Sequence, residues 1–160
     1  MDVDGVLTDG SLFLLPNLEY VRSMNIKDGY ALQLAVKKGY QVVVISGAQY
    51  DEGVVSRLKK LGVKDVHMAI NDKSTILMDH IIAKNYQPEE VLFIGDDIPD
   101  LMAFQHAGLR CAPSDAAHEV MEAAHYVSPH PGGKGCVRDI IEKVLKLNDD
   151  WLADETITSK

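Results

Sequence analysis

Val91-Leu92-Phe93-Ile94-Gly95-Asp96-Asp97-Ile98-Pro99-Asp100 is the stretch from which the fold follows. A short apolar run closed by a glycine and three carboxylates reads as a buried strand, and Pro99 opens the helical pattern that comes next. The same alternation extends in both directions. Strand-like runs lie at Gln41–Ile45, Asp65–Met68, Val91–Ile94, Leu109–Ala112 and His125–Val127. Helical patterns fall at about Asp28–Lys38, Tyr50–Leu61, Lys73–Asn85, Pro99–His106, Asp115–Ala123 and Gly135–Leu147. Gly39, Gly62 and Gly108 follow three of them, where a helix would stop. This rhythm predicts an α/β fold with a Rossmann-like parallel sheet, helices on both faces, and ligands at the carboxyl ends of the strands. One segment departs from it. Ser11–Leu15, Pro16-Asn17 and Glu19–Asn25 read as two short strands around a turn, a projecting β-hairpin at about residues 11–25.

The 160 residues, 46% of them hydrophobic, suit one domain with a real core, and residues 1–147 are expected to form it. Residues 148–160 make a polar, acidic tail with one tryptophan, expected to be weakly ordered unless something docks it. A net charge of −8 argues against nucleic acid or an anionic membrane as partner and leaves room for local basic sites. No apolar run approaches the roughly 18 residues that span a bilayer, and no signal segment opens the chain, so the cytoplasm is the expected location. Cys111 and Cys136 have no C-x-x-C spacing and are expected to be buried small hydrophobes.

Four strand ends carry chemistry. The chain opens Met1-Asp2-Val3-Asp4-Gly5, with two carboxylates at D-x-D spacing and a glycine behind them. A turn directly after Asp2 would swing Asp4 away, so that one carboxylate could attack phosphorus while the other gives and takes a proton; an ordinary acidic turn fits the same letters. Ser46-Gly47 follows the strand ending at Ile45 and offers a hydroxyl and backbone N–H groups to a phosphate, although a lone Ser-Gly is more often just the start of a loop. Lys73 sits in a first helical turn, an unfavourable place that a nearby anion would explain, although a lysine there is also commonly solvated. Asp96, Asp97 and Asp100 repel one another unless a cation or basic group lies among them; helix capping by Asp97 accounts for one of the three and not for all.

These residues resemble the motifs of the haloacid dehalogenase superfamily: Asp2-Val3-Asp4-Gly5-Val6, Ile45-Ser46-Gly47, Lys73, and Gly95 to Asp100. Within it the chain is similar to the capless subclass of small sugar-acid phosphatases, through Gly5-Val6-Leu7-Thr8-Asp9-Gly10, Ile26-Lys27-Asp28-Gly29 and Gly132-Gly133-Lys134-Gly135-Cys136-Val137-Arg138. The resemblance implies Mg²⁺-dependent hydrolysis of 3-deoxy-D-manno-octulosonate 8-phosphate in lipopolysaccharide precursor synthesis. In that scheme Asp2 is the nucleophile that becomes an aspartyl-phosphate, and Asp4 protonates the leaving oxygen and then activates water. The metal is held by Asp2, the Asp4 carbonyl and Asp96, with Asp97 and Asp100 behind them. Ser46, Gly47 and Lys73 bind the phosphoryl group, and Lys134 and Arg138 lie near the sugar carboxylate. A homotetramer is also implied, in which one subunit's hairpin helps to cover another's site. No gap between motifs can hold a separate cap domain.

Two departures stand out. Ala48 occupies a position where relatives often carry a basic residue, which puts substrate contacts there in question. The nucleophile is residue 2, whereas the fold calls for a buried central strand just upstream; loss of most of it should cost several kcal/mol, so an earlier start or a shortened first strand is expected. Three other functions fit less of the pattern. They are a phosphatase for a nine-carbon sialic-acid-type 9-phosphate, a phospho-accepting receiver-like module, and a catalytically silent assembly domain.

Overall fold

A computed structural model of the chain describes residues 1–16 and 20–157. It contains the hairpin strands β1 (Phe13–Leu14) and β2 (Tyr20–Val21), then α1 (Ile26–Lys37), β3 (Val43–Ile45), α2 (Glu52–Lys60), β4 (Asp65–His67) and α3 (Lys73–Lys84). There follow β5 (Leu92–Ile94), α4 (Leu101–Phe104), β6 (Leu109–Ala112), α5 (His118–Ala123), β7 (Tyr126–Val127) and α6 (Cys136–Leu147). The expected α/β alternation is therefore present, with element ends moved by at most three residues. The largest difference is at Pro99–His106, where a 3₁₀ turn at Ile98–Asp100 precedes a four-residue α4. Asp97 and Asp100 cap that turn reciprocally, which tightens its start.

The pairs β3–β4 and β5–β6–β7 are all parallel. What joins them is residues 1 and 2. The Met1 amine donates to Val43 O at 3.0 Å, Ile45 N donates to Met1 O at 3.0 Å, and Asp2 N donates to Ile94 O at 3.1 Å. Two residues thus stand as a minimal central strand in the order β4, β3, residues 1–2, β5, β6, β7. Below it a groove of about 680 Å³ opens between Val43 and Leu92, walled by Leu145 of α6 and Leu77 of α3. Burial pushes the Met1 amine down to about 6.

Alternation along each strand builds two cores. Val44, Ile94 and Cys111 face one way, among Leu32, Leu58, Ile140 and Leu145 of α1, α2 and α6. Their neighbours Ile45, Phe93 and Ala112 face the other way, among Leu77, Phe104 and Val120 of α3, α4 and α5. Both cysteines are buried and unbridged, as expected. Among the described residues no helix is long and apolar enough to cross a membrane.

The hairpin forms antiparallel, with Phe13 opposite Val21 and Leu14 opposite Tyr20; its expected turn residue Asn17 lies outside the described residues. It carries exposed apolar side chains, with Phe13 64% and Leu14 73% accessible. The tail is docked through residue 154, the exception that the sequence reading allowed. Trp151 meets Tyr30 edge to face, Asp150 accepts from the Tyr40 hydroxyl at 2.9 Å, and Asp154 pairs with Lys37 at 2.5 Å.

Candidate active site

The carboxyl ends of β3 and β5 flank Asp2, and the chain turns at once. Leu7 N and Thr8 N both donate to Val3 O, at 2.8 and 3.0 Å, which folds residues 3–8 into a compact loop. Gly5 makes the turn with φ +81°, and a Cβ there would sit 1.9 Å from an Asp96 carboxylate oxygen. The turn separates the two carboxylates, as the D-x-D-G reading requires.

Asp2 is buried. Its Oδ1 accepts from Val3 N at 2.6 Å, and its Oδ2 meets Lys73 Nζ at 2.7 Å. Lys73 Nζ also donates to Asp100 Oδ1 at 2.8 Å, so this lysine is a buried bridge between two strand ends and not a solvated one. Burial pulls the ammonium down, but Asp2 and Asp100 together outweigh it and leave Lys73 raised and charged. Asp100 is fully buried, and its second oxygen accepts from Asp96 N at 3.0 Å. Asp97 is exposed and spends Oδ1 on Ile98 N at 2.8 Å, so capping does account for it.

Asp96 is the carboxylate left over. Its Oδ1 is buried with no hydrogen-bond partner, while burial, then Asp2 and Asp100, push its carboxyl up to about 7. Asp2, Asp96 and Asp100 each bring one oxygen within 4.8 Å of the others. One lysine against three carboxylates leaves an excess of negative charge in a partly dry site. An orphaned oxygen in an all-carboxylate set is what a hard divalent cation fits.

Asp4 lies outside that cluster. Its Oδ1 accepts from Thr8 Oγ1 at 3.1 Å and from Arg22 Nε at 2.8 Å, and its Oδ2 accepts from the second terminal nitrogen of Arg22 at 3.0 Å. Sequence reasoning quoted Thr8 without a role and passed over Arg22, because nothing in its spacing ties residue 22 to residue 4.

Comparison with known proteins gives the family. Residues 65–140 match the model of the haloacid dehalogenase-like hydrolases. The 3-deoxy-D-manno-octulosonate 8-phosphate phosphatase of Yersinia pestis is 30% identical over 92% of this chain and 79% of its own. The chain belongs to this phosphatase family. A crystal structure of the Moraxella catarrhalis phosphatase, in complex with magnesium, phosphate and KDO, superposes with TM-score 0.87 at 29% identity, over 91% of this chain and 83% of that one. The cobalt-bound Haemophilus influenzae phosphatase does so with TM-score 0.87 at 33% identity, over 92% and 86%.

The remaining predicted residues of this phosphatase divide. Ser46 is buried at the end of β3, where its N–H donates to His67 O at 2.8 Å and its Oγ accepts from Ala48 N at 3.1 Å; Gly47 follows in the same turn. Lys134 pairs with Asp9 at 3.2 Å, at the rim of the loop that carries Asp4. Arg138 is elsewhere. Its guanidinium lies 5.0 Å from the Tyr30 ring centre and 4.5 Å from that of Trp151, and pairs with Glu142 at 2.8 Å. Cation–π contact and an ion pair one helical turn away draw it onto the docked tail and away from the carboxylates.

The glycine stretch before α6 packs against the loop that follows Asp2. Gly132 packs on the Asp2–Asp4 loop so closely that a Cβ would lie 1.9 Å from Gly5 O. Gly133 N donates to Val6 O at 3.0 Å, and Gly132 N donates to Asp115 Oδ1 at 2.9 Å. Asp28, quoted only as part of a motif, accepts from Arg138 N at 2.6 Å and so caps α6 from α1.

Proposed function

We propose that this phosphatase hydrolyses 3-deoxy-D-manno-octulosonate 8-phosphate, with Asp2 as nucleophile and Mg²⁺ as its metal, in the cytoplasmic supply of lipopolysaccharide precursors. The observation that carries the reading is the Lys73 bridge between Asp2 and Asp100, beside an Asp96 carboxylate oxygen that has no partner. Asp2, the Asp4 carbonyl and Asp96 would hold the cation, which would neutralise the phosphoryl oxygens and let an anion approach another anion.

The chain's own residues do the rest. The Val3 N–H and Lys73 fix both oxygens of Asp2, so the carboxylate is held in one orientation before substrate arrives. An Asp2 oxygen forms a bond to phosphorus as the bond from phosphorus to the sugar oxygen breaks. Asp4 gives its proton to that oxygen. Asp4 then takes a proton from water, whose oxygen attacks the aspartyl-phosphate, frees Asp2 and releases inorganic phosphate. Ser46, the Gly47 N–H and Lys73 bind the phosphoryl oxygens, and Asp100 holds Lys73 in place. Lys134, on the rim, serves the sugar carboxylate, and Arg138, packed on Tyr30 and Trp151, is assigned no part in that contact. The exposed apolar faces of Phe13 and Leu14 support assembly of four copies through the hairpin.

A substrate profile tests the reading. Phosphate release from the eight-carbon acid phosphate in Mg²⁺ should exceed release from a nine-carbon acid 9-phosphate and from simple hexose phosphates by at least tenfold, and a chelator should abolish it. Preference for the nine-carbon acid would change the substrate and keep the chemistry; activity undiminished by the chelator would overturn the mechanism.

A further inference from the structure

Arg22 stands at the base of the hairpin, eighteen residues from Asp4, and is almost completely enclosed, with 7% of its side chain accessible. Its planar fork spans two carboxylates from different segments. Nε and one terminal nitrogen grip both oxygens of Asp4, at 2.8 and 3.0 Å, and the other terminal nitrogen donates to Asp51 Oδ2 at 2.8 Å. Asp51 is the N-cap of α2, where its other oxygen accepts from Val54 N at 3.1 Å, and α2 follows the Ser46 turn. One side chain therefore ties the Asp4 loop, the hairpin and the helix behind Ser46 together.

We propose that Arg22 is a positioning residue for proton transfer, setting the direction in which the Asp4 carboxylate faces the leaving oxygen. The inference rests on the reading of Asp4 as the group that protonates the departing sugar. Thr8 alone gives Asp4 one hydrogen bond on one oxygen, about which the carboxylate can still swing. The bidentate fork removes that freedom, because two parallel N–H donors fix the plane of the carboxylate as well as its distance. A lysine would restore the charge without restoring the plane. The geometry also links the hairpin to chemistry, since a displacement of β2 moves Arg22 and, through it, Asp4.

The competing view is that Arg22 only braces the hairpin, and leaving-group dependence separates the two. An alkyl phosphate such as the sugar phosphate needs a proton on its departing oxygen, whereas p-nitrophenyl phosphate expels a stable phenolate and needs none. With Mg²⁺ present, Arg22→Ala should lower kcat/KM for the sugar phosphate about 100-fold and for p-nitrophenyl phosphate less than about threefold, since a positioned acid contributes on the order of 10²–10⁴. Arg22→Lys, which keeps a cation in the enclosed site and so guards against a failure of the alanine variant to fold, should show the same selective loss at about tenfold. Equal losses on both esters in the lysine variant, or none on the sugar phosphate, would overturn the proposal. If the wild-type protein turns over neither ester, the phosphatase reading fails and the role of Arg22 falls with it.

Discussion

The carboxyl and amino edges of the sheet beside residues 1 and 2 contrast. At its carboxyl end every loop is laced to another: Lys73 joins Asp2 to Asp100, Arg22 joins Asp4 to Asp51, and Gly132 lies on Gly5. At its amino end, two residues away, the sheet opens into the groove between Val43 and Leu92. Side chains and close backbone contacts between neighbouring loops hold the catalytic geometry sideways.

The largest expected effect falls at the laced end and touches chemistry alone. Asp2→Asn should reduce kcat by at least about 10⁴, since no other residue replaces the nucleophile, with a melting midpoint within a few degrees of wild type. Next comes the lacing. Gly132→Ala forces a methyl against the Gly5 carbonyl, where backbone must shift, and should cost about 3 kcal/mol in chemical denaturation together with most of the activity.

A smaller effect concerns charge. Asp96 rises from an unfolded value of 3.8 to about 7, so the folded protein prefers it protonated. For a group raised on folding, stability is full below the unfolded value and is lost as pH climbs through the folded one. Chelated protein should therefore lose on the order of 2–4 kcal/mol between pH 4 and 8. Asp96→Asn should flatten that slope in a pH series of melts, and Mg²⁺ should offset it in the wild type. The smallest effect tests the open end. Four β-branched residues added before Met1 would replace its buried amine with a peptide N–H and extend the ladder beside Val43. The midpoint should rise by on the order of 5 °C, and no rise would mean that the groove does not accept a strand.

Much of this contrast was legible in the residues. Period-two alternation is enforced by burial on both faces, so β3, β5 and β6 announce themselves, and carboxylates placed after apolar runs mark the catalytic edge. The three carboxylates at Asp96, Asp97 and Asp100 divide in the structure, with Asp97 spent on capping, Asp100 on Lys73 and the loop, and one buried oxygen of Asp96 left without a partner. Long-range partners were not legible. Arg22 reaches Asp4 only because the hairpin returns across the loop, and no local pattern encodes that return. Trp151 docks because Tyr30 and Arg138 come together where α1 packs on α6, so a tail that is polar by composition gains an apolar anchor. The i,i+4 spacing of Arg138 and Glu142 was the one local sign that this arginine faces along its helix.

The central claim is that the laced end carries a complete phosphoryl-transfer site with Asp2 as its nucleophile. Mass spectrometry of the Asp4→Asn protein after incubation with p-nitrophenyl phosphate and Mg²⁺ tests it most directly, because that ester departs without a proton from Asp4. With activation of water by Asp4 removed, a phosphoryl group should be retained on the peptide that carries Asp2, and none when Asp2→Asn is added. Turnover by the wild type, with phosphate trapped on another residue or with full activity in the Asp2→Asn protein, would contradict it.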